Sequence, residues 1–400
     1  MRVSEIRVGA LLYTLSTSKI TFMGIDGIGN RQVFTGGEVR ELVSKLTRLH
    51  EELSDGMAIA RGVVPNLRDF IDNWGRQLLP PKSWLEDIDV LVIVPQGDIH
   101  GIPLHLVLCD HQPLGALVGI TYSSSMSLMS RCMSRNPVRK GNLASWIFEE
   151  DRHPQYLQKT LTAIVGGVDV LGDKNNIFKD IITEIVEYAK GEVLNFSSKD
   201  STMFSEFSRN CLKTAFRCTN KANILCVAAH GYIDFNNHRM SGLLLARDRV
   251  GIALRNIPLH GGRYFDFRDL PLRDLPVELQ PSIDAEVLTS AELEIDGVLD
   301  SEIVALLGCS TSAGRVFPGD EPASLAESFL HIGACSVLSS AWDVDIDFVK
   351  EWSGHFFTGW LTYRLPKAIA YRWAMRKMAA GPWKDRSERL GCMVLKGDWL

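Results

Sequence analysis

The chain has 400 residues and a formal net charge of −5, with 46% hydrophobic and 23% charged residues. This length allows about two to three domains with a sizeable core, and the composition is that of a soluble globular protein. The slightly acidic balance excludes a global electrostatic attraction to nucleic acid or to an anionic membrane surface.

The sequence also lacks a secretory signal, a membrane span and paired cysteine motifs. The first 20 residues do not show the succession of basic, apolar and small residues that marks a secretory signal, and no run approaches the ~18 apolar residues of a membrane span. The eight cysteines are scattered without CxxC pairs. We therefore expect a cytoplasmic protein with reduced thiols.

The first elements along the chain mix strands and helices. Residues 6–14 and 19–26 predict a β-hairpin, and residues 38–53 carry apolar side chains at helical spacing. A second helix is predicted over about residues 65–79, because the proline pair that follows cannot continue it. The apolar run Val90–Val94 is typical of a strand buried on both faces.

Residues 117–122 predict a further strand and residues 124–133 a helix. His100, His105 and His111 lie nearby, but spacings of five and six residues place them on different faces of a helix. We therefore expect no metal site there. The glycines after residue 165 form no GxGxxG or GK[ST] motif, so no nucleotide cofactor is expected either.

A domain boundary is predicted near residue 145, where an Asn-Pro pair and charged clusters interrupt the apolar periodicity. This divides the chain into an N-terminal half, residues 1–145, and a C-terminal half, residues 146–400. Strands and helices alternate in the second half, which predicts an α/β fold with a mostly parallel sheet covered by helices on both faces.

The second half also contains a predicted insertion and a predicted end of the fold. Residues 247–287 carry four prolines among mixed charges and predict a long insertion. The sheet is then expected to resume at residues 290–293. A strand is predicted at residues 335–341, and helices at about 347–362 and 366–379 are expected to close the fold.

Two polar residues follow predicted strands of the second half. His230 follows the apolar run of residues 223–229, and Cys309 follows residues 303–307. A cysteine attacks only as a thiolate, and a histidine can take its proton. Parallel strands deliver their C-terminal residues to one crevice, so the two could form a catalytic dyad. The alternative is that Cys309 is an ordinary buried cysteine.

The segments around these residues resemble a CHAT-domain protease of the caspase-like clan CD, which also contains separases. The matching segments are VLVIVPQGDIHGIPLHLVL (90–108), AAHGYIDFNNHRMSGLLLA (228–246), LTSAEL (288–293), LLGCSTSAG (306–314) and GDEPASLAESFLHIGACSVLSSAWDVD (319–345). Their order and spacing agree with the family over nearly the whole chain.

The resemblance implies a caspase-like fold and peptide-bond hydrolysis through an acyl-enzyme. Cys309 would be the nucleophile and His230 the general base and acid, with the amides of Gly231 and Cys309 as the oxyanion hole. The N-terminal half would be a degenerate caspase-like lobe packed beside the catalytic one. No cofactor is implied.

Specificity is predicted from the stretch Trp342-Asp343-Val344-Asp345, which is similar to one in separases, proteases that cut after arginine. Asp343 and Asp345 would then form an acidic pocket for a basic P1 residue, since a desolvated carboxylate pairs well with a guanidinium. The alternative is that one of the two aspartates caps the helix that follows. Ile346 interrupts the adjacent acids that are usual in the family.

We therefore predict a cysteine endopeptidase with a specific protein substrate, in a regulated prokaryotic pathway such as antiphage defence or programmed cell death. An activating partner or ligand would act in trans, without direct contact to nucleic acid or membrane. Two alternatives stay open: a catalytically silent CHAT-fold protein that binds a partner through the same crevice, and a thiol amidohydrolase.

Overall fold

The fold was analysed in a computed structural model, which describes a large part of the chain. The described residues are 6–16, 19–135, 163–168, 193–195, 224–229, 231–232, 237–246, 285–296, 299–317 and 321–400.

Eighteen strands lie in the described residues. In chain order they are β1 (Val8–Leu15), β2 (Lys19–Ile25), β3 (Arg31–Glu38), β4 (Val90–Val94), β5 (Leu108–Cys109), β6 (Gln112–Pro113), β7 (Gly119–Tyr122), β8 (Ala163–Val168), β9 (Val193–Asn195), β10 (Ile224–Ala229), β11 (Gly231–Tyr232), β12 (Gly242–Ala246), β13 (Ala285–Thr289), β14 (Ile303–Leu306), β15 (Gly314–Phe317), β16 (Glu321–Ser324), β17 (Ser336–Ser340) and β18 (Met393–Gly397).

The helices of the described residues are mostly short. They are α1 (Val39–Ser54), α2 (Gly56–Arg61), α3 (Pro65–Asp69), α4 (Lys82–Leu85), α5 (Leu114–Leu117), α6 (Met126–Arg135), α7 (Ser290–Asp296), α8 (Leu325–Ile332), α9 (Ile346–Phe357), α10 (Lys367–Ala380) and α11 (Ser387–Leu390). Single π- or 3₁₀-helical turns lie at Phe70–Trp74, Gly75–Leu78, Gly97–Ile99, Leu104–Leu106, His238–Met240 and Thr358–Thr362.

One large sheet of 11 strands runs through both halves of the chain, in the order β3-β2-β1-β4-β7-β18-β17-β14-β10-β8-β9. Seven of the ten neighbouring pairs are parallel, and the antiparallel pairs are β1–β2, β2–β3 and β17–β18. The predicted mostly parallel α/β architecture is therefore confirmed.

The central strands are apolar because both faces of the sheet are covered. Every described side chain of β4, β10, β14 and β17 is buried. A strand buried on both faces gains from apolar side chains at every position, which explains their continuous hydrophobic runs. Because β14 pairs in parallel with both β10 and β17, the C-terminal ends of these three strands lie side by side.

Strand β18 joins the two halves at the centre of the sheet. It lies antiparallel to β17 of the C-terminal half and pairs in parallel with β7 of the N-terminal half, where Lys396 lies opposite Tyr122. The sequence pattern predicts two helices at the end of the fold and does not predict this strand, which follows them. The β-hairpin β1–β2 is confirmed, whereas the third strand, β3, was also missed.

The segment after the predicted insertion differs from expectation. Residues 285–287 belong to β13, and residues 290–293 begin α7 instead of resuming the sheet. Strand β13 pairs with β12, which pairs with β11, so these three form a separate small sheet. Residues 247–284, most of the predicted insertion, lie outside the described residues, as does the predicted boundary at residue 145.

Among the helices of the described residues, none is both long and apolar enough to cross a bilayer.

Two glycines with positive φ allow a test of backbone packing. Gly333 ends α8 with φ +138°, and a Cβ there would collide with the carbonyl oxygen of Leu299. Gly29 has φ +87°, but nothing lies within 4 Å of its Cβ position. We expect Gly29→Ala to lower the free energy of unfolding by about 1–2 kcal/mol through strain alone. Gly333→Ala should lower it by at least ~3 kcal/mol, because the collision adds to the strain.

Urea unfolding of both variants beside the wild type measures the difference. Equal losses in the two variants would contradict the packing of α8 against Leu299.

Candidate active site

The ends of β10 and β14 touch through their backbones. The amide of Leu307 donates to the carbonyl of Val227 at 2.9 Å. A Cβ on Gly308 would collide with the carbonyl oxygen of Ala229, and a Cβ on Gly231 with the carbonyl oxygen of Cys309. Glycine at both positions therefore permits a contact that no other residue would allow.

The predicted catalytic residues are related to this contact in different ways. Cys309 lies directly at it. Gly231, the first predicted oxyanion donor, packs against Cys309, the second. His230 lies outside the described residues. Its neighbours Ala229 and Gly231 both pack against the loop of residues 308–314, here called the cysteine loop.

The loop after Cys309 is held against the end of β17. Ser310 adopts φ +54°, which turns the chain sharply after the cysteine. Its amide donates to the carbonyl of Trp342 at 3.1 Å, and the amide of Ser312 donates to the carbonyl of Ser340 at 2.7 Å. The Ser340 hydroxyl also donates to the carbonyl of Gly308. These bonds fix the loop that carries the thiol.

The Cys309 thiol is partly exposed, whereas the other described cysteines are buried. Its Sγ lies 3.9 Å from the carbonyl oxygen of Val344, to which it can donate. Burial raises the pKa of this thiol to about 11, and the carboxylate of Asp343 contributes to the rise. At neutral pH the resting cysteine is therefore a thiol, so attack requires a base to remove its proton.

The two predicted specificity aspartates have different environments. The Oδ1 atom of Asp343 accepts from the Ser310 hydroxyl at 2.8 Å, and its carboxylate lines a cavity beside the cysteine loop. Asp345 instead caps α9: its Oδ1 accepts from the amides of Asp347 and Phe348 at 3.1 and 3.3 Å. Its other oxygen lies 3.5 Å from Nη2 of Arg389. Only Asp343 faces the cavity.

The cavity has a volume of about 530 Å³ and lies between the two halves of the chain. Ser310 and Asp343 contribute from the C-terminal half, and His50, Leu53 and Ser54 from the end of α1. This volume is within the range of ligand-binding pockets.

A buried ion pair also lines the cavity. Lys396 of β18 lies 3.0 Å from Oε1 of Glu327, and the hydroxyl of Ser124 donates to Oε2 at 3.3 Å. Sequence reasoning missed this pair because it missed β18. The apolar run at residues 392–395, just before Lys396, was the signal that could have located the strand.

The cluster of three histidines has a structural role at His105. Its imidazole is buried, with Nδ1 2.9 Å from the hydroxyl of Tyr122 and Nε2 3.1 Å from the carbonyl oxygen of Gly391. Burial lowers the pKa of His105 to about 4, so it is neutral at physiological pH. In the part of the chain that the structure describes, no three His, Cys, Asp or Glu residues are grouped to hold a metal ion.

The family of the chain follows from a comparison with family models. The model of the CHAT domain matches residues 71–389, well over half of the chain. The chain belongs to the CHAT domain family. No curated protein matches it.

The chain is also similar to solved structures. The chain is similar to separase in the Saccharomyces cerevisiae separase–securin complex, with a TM-score of 0.55 and 12% identity over 98% of this chain and 30% of separase. Two gingipain structures also match. The Arg-specific cysteine proteinase gingipain R has a TM-score of 0.46 and 11% identity, and the match covers 84% of this chain and 67% of the gingipain chain. The complex of the pro- and mature domains of RgpB from Porphyromonas gingivalis has a TM-score of 0.44 and 9% identity, and the match covers 86% of this chain and 71% of that chain. The CHAT chain thus shares the fold of the separase structure, and it spans under a third of the separase chain.

The electrostatic effect of Asp343 on the Cys309 thiol can be tested by alkylation. Because the carboxylate raises the pKa of Cys309, Asp343→Asn should increase the thiolate fraction and speed reaction with iodoacetamide at pH 8 by a few-fold. In the wild type, the rate should continue to rise with pH as far as the fold persists, since the pKa is about 11.

Mass spectrometry of the Cys309 peptide measures the rate. Asp347→Asn is the matched control, because it removes the same charge from an exposed residue in the first turn of α9. Equal rates in the two variants would refute the electrostatic contact.

Proposed function

We propose that this CHAT protein is a cytoplasmic cysteine endopeptidase that cleaves a specific protein substrate through a His230–Cys309 dyad. The observation that carries the proposal is the register of β10 and β14. Their parallel partners differ by 79 residues in number, as in Ile224 with Ile303 and Val227 with Leu306. Positions 230 and 309 differ by the same number, and the register, continued past the strand ends, would bring them side by side.

The chemistry follows from the roles of the two side chains. The imidazole of His230 takes the thiol proton, and the sulfur of Cys309 attacks the carbonyl carbon of the scissile bond. The amides of Gly231 and Cys309 would stabilise the negative oxygen that forms. The imidazolium then donates its proton to the leaving amine, and water hydrolyses the thioester in the reverse sequence of proton transfers.

Asp343 is the residue proposed to select a basic P1 side chain. Asp343 lines the cavity together with Ser310, the residue after Cys309, whereas the carboxylate of Asp345 caps α9 and lies near Arg389. A carboxylate at this position would pair with the guanidinium or ammonium group of an arginine or lysine. The sequence predicts an acidic pocket formed by both aspartates, and we propose this role for Asp343 alone.

Control by a partner in trans is part of the proposal. The resting thiol has a raised pKa and donates to a carbonyl, so activation would need a change at this site. Separase is seen in complex with securin, which supports a protein as the partner.

The dyad is tested with a panel of fluorogenic peptides that vary at P1. We expect Cys309→Ala to abolish turnover and His230→Ala to lower kcat/KM by about 10²–10⁴-fold, the usual contribution of general acid–base catalysis. Cys132→Ala removes a buried thiol in α6 and should leave kcat/KM unchanged. Undiminished turnover in the His230 variant would refute the dyad. Absence of turnover in the wild type with every peptide and candidate activator would favour the catalytically silent binding protein.

Specificity is tested with Asp343→Asn beside Asp345→Asn, which remove the same charge two residues apart. A charged hydrogen bond contributes about 1.5–3 kcal/mol, so Asp343→Asn should reduce the preference for Arg over Leu at P1 by roughly tenfold or more. Asp345→Asn should retain the preference, since asparagine also caps helices. The ratio of kcat/KM values for the two peptides is the measurement, and a loss only in the Asp345 variant would overturn the assignment.

A further inference from the structure

We infer that the N-terminal half forms one wall of the substrate side-chain pocket and that Gly56 is a specificity-determining position. The inference rests on the proposed function, because the pocket is the one beside Cys309. It assigns a role in substrate selection to the half of the chain that contains neither proposed catalytic residue.

The carboxylate of Asp343 is held between the two halves. On the catalytic side, its Oδ1 accepts from the hydroxyl of Ser310 at 2.8 Å. On the other side, a Cβ added to Gly56 would lie 2.5 Å from its Oδ2. The missing side chain at residue 56 therefore leaves the space that Asp343 occupies.

The segment that approaches Asp343 is fixed within the N-terminal half. Glu52 is buried and accepts from the amides of Asn66 and Leu67 at 2.9 and 2.8 Å. The carboxylate of Asp55 accepts from the amide of Ala58 at 3.2 Å, at the start of α2. These bonds hold the turn between α1 and α2, so that it forms a rigid wall.

The same turn supplies the apolar surface that a long basic side chain needs. Leu53 and Ser54 line the cavity together with Asp343, and Leu53 is an apolar residue of the core. Arginine and lysine bury their methylene stems against apolar surface while the charged group reaches a polar partner. The pocket therefore combines an aliphatic wall from α1 with an acid from the catalytic half, which suits arginine or lysine at P1.

The experiment compares Gly56→Lys with Ser44→Lys and with the wild type. Ser44 is exposed on α1, about 15 Å along the helix axis from the end at Ser54, so its lysine adds the same charge away from Asp343. Each protein is treated with peptidyl acyloxymethyl ketones that carry Arg, Leu or Glu at P1, and labelling of Cys309 is followed by mass spectrometry. The ratio of rates within one protein does not depend on the fraction that is folded.

We expect the lysine at residue 56 to pair with Asp343 and lower the Arg-to-Leu ratio by at least tenfold, while the Glu-to-Leu ratio rises. Gly56→Ala should lower the Arg-to-Leu ratio by a few-fold, because its Cβ displaces the Asp343 carboxylate without adding charge. Ser44→Lys should keep the wild-type ratios.

The outcomes separate the two levels of the argument. A wild type that prefers Arg, with unchanged ratios in both Gly56 variants, would overturn the role of the N-terminal wall and leave the proposed function standing. A wild type whose Cys309 is labelled equally with every P1 residue would overturn the proposed pocket and with it this inference.

Discussion

The backbone contact between the ends of β10 and β14 is the constraint on which the site depends. Gly308 lies against the carbonyl of Ala229, and Gly231 lies against that of Cys309. Main-chain atoms vary less in position than side chains, so a thiol placed by such a contact is held to the geometry of the sheet. The pairing of β10 and β14 in the large sheet therefore determines the position of the Cys309 thiol relative to the end of β10.

The segment from Ser340 to Asp345 connects this contact to the rest of the molecule. Ser340 bonds to Gly308, and Trp342 donates from Nε1 to the carbonyl of Glu388 at 2.8 Å. Asp343 lies between Ser310 and Gly56, and Val344 supplies the carbonyl near the thiol. One short segment therefore contacts the cysteine loop, the C-terminal α11 and the N-terminal half. A displacement of α11 or of the N-terminal half would therefore change the position of the segment that contacts Cys309.

The sequence predicted those parts of the fold that depend on local pattern. The apolar runs of β4, β14 and β17 and the helical spacing of α1 are visible because burial acts on each strand or helix separately. Strand β3 was missed because it is an exposed edge strand with two glycines, and β18 because its pairing depends on strands far away in the sequence.

The candidate site was predicted to a similar extent. The proximity of Cys309 and Gly231 could be predicted because each follows an apolar run at a turn; their catalytic roles stay a prediction. The distinction between Asp343 and Asp345 could not, since it depends on the residue at which α9 begins and on the position of Arg389. Gly56 carries no local signal at all, because its importance comes from a carboxylate nearly 290 positions away in the chain.

The central place of β18 has a consequence for biosynthesis. This strand emerges from the ribosome after every other described strand, yet it lies between β7 and β17 and joins the two halves of the sheet. The shared sheet closes only when residues 393–397 are available. The cavity lined by Lys396 and Asp343 is completed at the same moment, so a nascent chain has no finished pocket until translation has passed this strand.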